Sequence, residues 1–184
     1  MRALACVFFL VALVWPVSTA QAGTLELDNL ILDNQAGSIS VRFGVRVLDI
    51  KDLEADLAAG ATLGLKSEAS VFRRKNLWAD TRVAGATLIS PLRKDVLAKD
   101  YVIELPGEGR VLRDKDLATL LDKAWGRMAL DLGPWESLLP GRDYRLEMRI
   151  SMDRLDVPAW LRYVVFFWSF DVSEPLNYRL DFSY

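Results

Sequence analysis

Tyr144-Arg145-Leu146-Glu147-Met148-Arg149-Ile150-Ser151-Met152 alternates apolar and polar residues without a break. Successive side chains of an extended strand point to opposite faces, so this stretch buries Tyr144, Leu146, Met148, Ile150 and Met152 and wets Arg145, Glu147 and Arg149. A helix would scatter the same residues around its circumference. The stretch therefore predicts a strand in a sheet with one buried face.

Upstream, Ile39, Val41, Phe43, Val45 and Val47 repeat the alternation with Ser40, Arg42, Gly44 and Arg46 between them. Leu25, Leu27 and Ile31 precede them across Asn34-Gln35-Ala36-Gly37, which predicts a first hairpin. Asp49 is placed to cap a short helix with Ile50, Leu53 and Leu57 on one face, and Gly60 sits where a C-terminal cap belongs. Strand character returns at Leu63, Leu65, Ala69 and Val71 and runs to the basic corner Arg73-Arg74-Lys75-Asn76, beyond which residues 78–89 read as the return strand. The second half repeats this order of elements. Residues 101–105 and 111–113 flank the turn Pro106-Gly107-Glu108-Gly109, and Asp114 or Asp116 starts a helix whose Leu117, Leu120, Leu121, Ala124 and Trp125 share one face. Met128, Leu130 and Leu132 alternate before turns at Pro134 and Pro140-Gly141. The last strand is Tyr178, Leu180, Phe182 and Tyr184, alternating with Arg179, Asp181 and Ser183. About nine strands and two short helices joined mostly by turns predict a mainly β fold, an antiparallel β-sandwich with helices covering its ends or edges.

The N-terminus reads as an export signal. Met1-Arg2 is a short positive start, the run from Ala3 to Val14 is apolar, and Ala20-Gln21-Ala22 is a small-x-small cleavage site before Gly23. The expected organisation is a cleaved signal peptide over residues 1–22 and a single sandwich domain over residues 23–184, released into the bacterial periplasm; retention of the segment as an anchor is the alternative. Cys6, the one cysteine, leaves with the signal, and a secreted domain without disulfides fits the periplasm better than a eukaryotic extracellular space.

Composition excludes more chemistry than any motif suggests. The chain contains no His, so Ser-His-Asp and Cys-His sites and a histidine-based pH switch are impossible, and zinc would need carboxylates alone. Carboxylate pairs such as Asp114 with Asp116 or Asp153 with Asp156 are more simply cap and turn residues, and Ser90 and Lys94 lack serine-x-x-lysine spacing. No enzymatic activity, cofactor or metal is expected. After loss of Arg2, 22 basic residues stand against 25 acidic ones with both signs interspersed, which argues against nucleic acid as a partner.

Two surface candidates remain. Arg73, Arg74 and Lys75 with Trp78 form a basic hairpin tip beside an aromatic, suited to acidic lipid head groups, phosphorylated sugars or an acidic protein loop; the plainer reading is a solvated turn that protects a strand edge. Residues 157–170 hold Trp160, Tyr163, Phe166, Phe167 and Trp168 around a single charge, Arg162. Such a run reads either as a central core strand or as an apolar patch that docks a protein or meets the membrane surface.

Residues 47–78, with the short helix, the Leu57-Ala58-Ala59-Gly60 turn and the corner Phe72-Arg73-Arg74-Lys75-Asn76-Leu77-Trp78, resemble the bacterial domain of unknown function family numbered 4390 (DUF4390). The later pieces agree in order: residues 101–105, the helix from Asp116 to Trp125, Leu139-Pro140-Gly141-Arg142-Asp143-Tyr144, residues 155–158, and Phe170-Asp171-Val172-Ser173. Where members tend to carry a Trp-Asp pair and a following Trp, this chain has Phe170-Asp171 and Pro175-Leu176. The resemblance implies a small exported protein, often encoded beside an envelope sensor kinase. The expected function is thus a periplasmic, non-enzymatic binding module, a partner or accessory of an envelope sensor or two-component system. The alternative is a lipid-binding or membrane-surface protein. The closing alternation of Tyr178 to Tyr184 also raises a small outer-membrane barrel, against which the two capped helices and unequal strands stand.

Overall fold

A computed structural model describes residues 25–75, 78–156 and 174–184. Among these residues nine strands and two α-helices follow one another as β1 (Leu25–Gln35), β2 (Ser38–Val47), α1 (Ile50–Ala58), β3 (Leu63–Arg73), β4 (Thr81–Asp95), β5 (Asp100–Leu105), β6 (Arg110–Asp114), α2 (Leu117–Trp125), β7 (Met128–Pro134), β8 (Asp143–Arg154) and β9 (Leu176–Ser183). They form two antiparallel sheets, one in the order β1-β2-β7 and one in the order β6-β5-β4-β3-β8-β9. Both orders are linear, so the described strands make an open sandwich and not a closed barrel.

Local chemistry explains the connections. Gln35 pairs with Ser38, leaving Ala36-Gly37 as a two-residue loop with φ of 50° and 84°. Two positive φ values define the hairpin turn that matches strand twist, and Asn34 Oδ1 accepts from the Gly37 amide at 3.0 Å. Asp49 caps α1 through the Asp52 amide at 3.5 Å, and Gly60 follows the helix at φ 91°. Asp116 caps α2 through the Thr119 amide at 2.8 Å.

The alternating residues of β8 pack inward as their period requires: Tyr144, Leu146, Met148, Ile150 and Met152 are all buried. They join Ile39, Val41, Phe43 and Val45 of β2 and Leu117, Leu120, Leu121, Ala124 and Trp125 of α2 in one core. Each such side chain contributes about 1.5–3 kcal/mol relative to exposure. Trp125, at the end of α2, donates from Nε1 to Ser90 Oγ of β4 at 2.9 Å, and Ser90 donates to the Glu104 carbonyl of β5 at 2.7 Å. Gly44 of β2 faces the chain just after α2; a Cβ there would stand 2.7 Å from the Gly126 carbonyl oxygen. The helix is thereby fastened to both sheets.

Two sequence expectations are corrected. The strand after the basic corner begins at Thr81 and not at residue 78, and it runs past residue 89 to Asp95. Pro91 lacks an N–H, yet it pairs with Gly64 on one side, and the pairing with β5 on the other begins only at Leu92, so no β5 ladder bond is lost there. The repeated order of elements is also not a repeated placement: β1-β2 lies in the small sheet, whereas β5-β6 extends the large one.

Candidate functional site: a basic corner at one end of the sandwich

The corner forms where β3 and β8 reach the same end of the large sheet. Arg73 pairs with Tyr144, and the Arg74 amide continues the ladder to the Asp143 carbonyl at 2.9 Å. That register brings the residues after β3 against the turn before β8. Asp80 accepts from the Lys75 amide at 3.2 Å and holds the returning chain, leaving Trp78 81% exposed. On the other side, the buried Tyr144 hydroxyl accepts from the Leu139 amide at 2.6 Å and donates back to the Leu139 carbonyl at 3.3 Å. Gly141, at φ 71°, turns the chain, and Arg142 and Tyr184 exchange two backbone hydrogen bonds of 3.1 Å each. Tyr144 stacks on Phe182 at 5.6 Å, and Trp135 meets Tyr184 edge-on at 5.3 Å, so the turn carrying Arg142 rests on a packed aromatic floor.

Between these walls lies a depression of about 550 Å³ lined by Arg73, Arg74, Lys75 and Trp78 from one side and by Leu139, Gly141, Arg142 and Asp143 from the other. A neighbouring recess of about 370 Å³ is lined by Arg74, Lys75, Asp80, Asp143 and Arg145. Charge divides them. Arg145 binds Asp181 at 2.9 Å and Asp80 at 3.6 Å, and Arg74 reaches Asp181 at 3.7 Å. The Arg145 hydrogen bond holds the Asp181 carboxyl below its ordinary range, and the same bond raises the Arg145 guanidinium. Arg73, Lys75 and Arg142 have no ion pair among the described residues, so the larger depression, in which Asp143 is the one lining carboxylate, carries a net positive charge beside Trp78 and Leu139, the latter 47% exposed.

The predicted residues Arg73, Arg74, Lys75 and Trp78 are thus brought together, although Arg74 is partly neutralised. Leu139 and Arg142 join them from a turn that the sequence reading used as a turn and as a piece of the family pattern, not as part of the site; their proximity depends on the pairing of β3 with β8. Trp160, Tyr163, Phe166, Phe167 and Trp168 lie outside the described residues. Ser90 is buried and committed to Trp125 and Glu104, while Lys94 sits 5.2 Å over the Tyr101 ring, four residues and about 13 Å along the strand. Asp114 accepts from Lys123 at 2.9 Å and from the Asp116 amide at 3.1 Å, and both contacts lower its pKa, opposite to what a general acid needs. Among the described residues no group of three or more His, Cys, Asp and Glu is placed to hold a metal ion, and no helix is long and apolar enough to cross a membrane.

Fold and site together define an antiparallel β-sandwich with an exposed, cationic corner. The family model described as Domain of unknown function (DUF4390) matches residues 22–179, and the chain belongs to that family. No curated protein and no solved structure matches it.

Proposed function

We propose that this chain is an exported, non-enzymatic binding module of the bacterial envelope that docks an acidic loop of an envelope protein, such as the sensor part of a two-component kinase. The corner formed by Arg73, Lys75, Arg142 and Trp78 makes the contact. The observation that carries this reading is the division of charge at the corner: Arg74 and Arg145 are engaged by Asp80 and Asp181, whereas Arg73, Lys75 and Arg142 converge around a single lining carboxylate, Asp143, with which none of them forms an ion pair among the described residues. An acidic segment laid there would gain three charge-assisted contacts and cover an exposed indole, the pairing of aromatic and Arg that dominates protein interfaces. The export signal read in residues 1–22 supports a partner outside the cytoplasm, and the lack of His supports a role without histidine-based catalysis.

A lipid surface is the second reading, favoured by Trp78 and Leu139, which stand exposed beside the cations as membrane-interface residues do. The test is in-cell photocrosslinking from an artificial residue at position 78 of the full chain, with and without R73A/K75A/R142A. One protein adduct that disappears in the triple variant is the expected result; adducts to lipid alone transfer the site to the second reading. Adducts unchanged by the triple variant refute the role of the corner.

A further inference from the structure

Sheet edges expose unpaired backbone groups, and proteins usually blunt them by shortness, bulges, proline or cover. Three edges here are blunted. β1 has a register break between Asp28 and Ile31, with Asn29 at φ 52°. β6 is five residues long, and β7 ends in Gly133-Pro134 and packs against β4. Among the described residues β9 is neither short nor bulged, although it touches β1. It pairs with β8 without a register break from Asp143↔Ser183 to Ile150↔Leu176, has no internal proline, and among the described residues no strand bonds to its other side.

We propose that β9 is a homodimerisation edge, where two copies of the chain pair antiparallel about a two-fold axis at Leu180 and join their large sheets into one. The sequence of β9 is self-complementary about that residue. Centred on Leu180, Arg179 faces Asp181 of the second copy and Asp181 faces its Arg179, so two opposite-charge pairs form on the outer face. On the inner face Tyr178 meets Phe182 and Leu180 meets itself, while Asn177 lies opposite Ser183. Centring on Arg179 or Asp181 instead would set like charges directly opposite, and centring on Tyr178 or Phe182 would leave Arg179 and Asp181 without an opposite charge across the axis, which selects the register.

Burial agrees with this occupant. The inward residues of β8 are covered, but those of β9 are not: Tyr178 is 40% exposed, and Leu180 and Phe182 are half-buried. The side chain of Arg179 is 73% exposed although it reaches Glu147 at 3.2 Å, and that of Asp181 is 53% exposed although Arg145 and Arg74 bind it. Both retain open surface toward the free edge of the strand. A strand pair of this length buries less than the ~1,200 Å² of a standard stable interface, so the dimer is a concentration-dependent one.

Sedimentation of the full chain over a concentration series tests the proposal, with circular dichroism confirming the fold of each variant. R179D sets two Asp against two Asp across the axis, and D181R sets two Arg against two Arg; each alone is expected to dimerise at least about tenfold more weakly than the wild type. An equimolar mixture of the two restores both opposite-charge pairs and is expected to form heterodimers. Independently, in a C6S background, L180C is expected to oxidise to a disulfide-linked dimer, because residue 180 faces its own counterpart, whereas N177C is not. A wild-type chain that stays monomeric at the highest soluble concentration overturns the proposal. So do dimers unaffected by R179D, a mixture of R179D and D181R that remains monomeric, or L180C that crosslinks no better than N177C.

Discussion

Ser90→Ala tests the fastening of α2 to the large sheet. Ser90 and Trp125 are both fully buried, and the hydroxyl is at once the acceptor of the indole N–H at 2.9 Å and a donor to the Glu104 carbonyl at 2.7 Å. Alanine leaves the indole N–H without that partner inside the core, which costs about 1–3 kcal/mol, well above the value of the hydroxyl's own bonds in water. Trp125→Phe removes the same N–H together with half of a ring system, at about 2 kcal/mol of lost packing and transfer energy. In the double variant no donor is orphaned, so Ser90→Ala should cost less in the Trp125→Phe background than in the wild type, by about 1 kcal/mol. Urea unfolding of the four proteins measures this directly, provided the slope m is unchanged. For a domain of this length each kcal/mol moves Tm by about 2–4 °C, so thermal unfolding gives an independent reading. Additive single effects, within about 0.3 kcal/mol, would refute the reasoning and place Ser90 in the core merely as a small residue.

Tyr144→Phe deletes the hydroxyl that holds both polar groups of Leu139; it should cost about 1–2 kcal/mol, speed amide exchange at Leu139 and weaken capture at the corner by mispositioning Arg142. Gly44→Ala drives a Cβ to 2.7 Å from the Gly126 carbonyl oxygen, and a backbone shift of β2 against the end of α2 should lower stability by about 1–3 kcal/mol, read as a reduced urea midpoint. Acid sensitivity follows from Asp95, lowered first by the Ala98 backbone bond; Asp114, by Lys123; Asp116, by Thr119; and Asp181, by Arg145. Because these folded-state values lie below the ordinary 3.8, the stability they contribute is fully present above that pH and is lost as pH falls through the lowered values. The urea midpoint should hold from neutral pH down to about 5 and then drop. D181N should shrink the drop, and an unchanged acid limb in that variant would refute the linkage.

What was legible in the sequence is what neighbours within a few residues decide. The apolar face of β8 and β2, the cap at Asp49, the start of α2 at one of the two aspartates offered, Asp116, the apolar face of α2 and a hairpin within Asn34 to Gly37 depend on dihedral preference and on which side of a strand or helix a residue faces, and they appear as read, except that Ser40 and Gly44 on the expected outer face of β2 are buried as well. The far end of β4 was misread because the cost of Pro91 depends on whether a partner strand needs its N–H, which no local pattern contains. Strand placement was hidden for the same reason: β1-β2 and β5-β6 are similar hairpins locally, yet they occupy different sheets.

The corner divides along the same line. Its charge and its Trp78 were visible as a run of residues, because composition and turn position are properties of the chain itself. Only the tertiary structure could add Arg142 and Leu139, subtract Arg74 and Arg145 through Asp181 and Asp80, and leave β9 paired on one side only among the described residues. Periodicity tells a residue which face to take, and that is determined one strand at a time. Which charges meet and which edges stay open is decided by the pairing of strands distant in sequence, a choice made by the packing energy of the whole core.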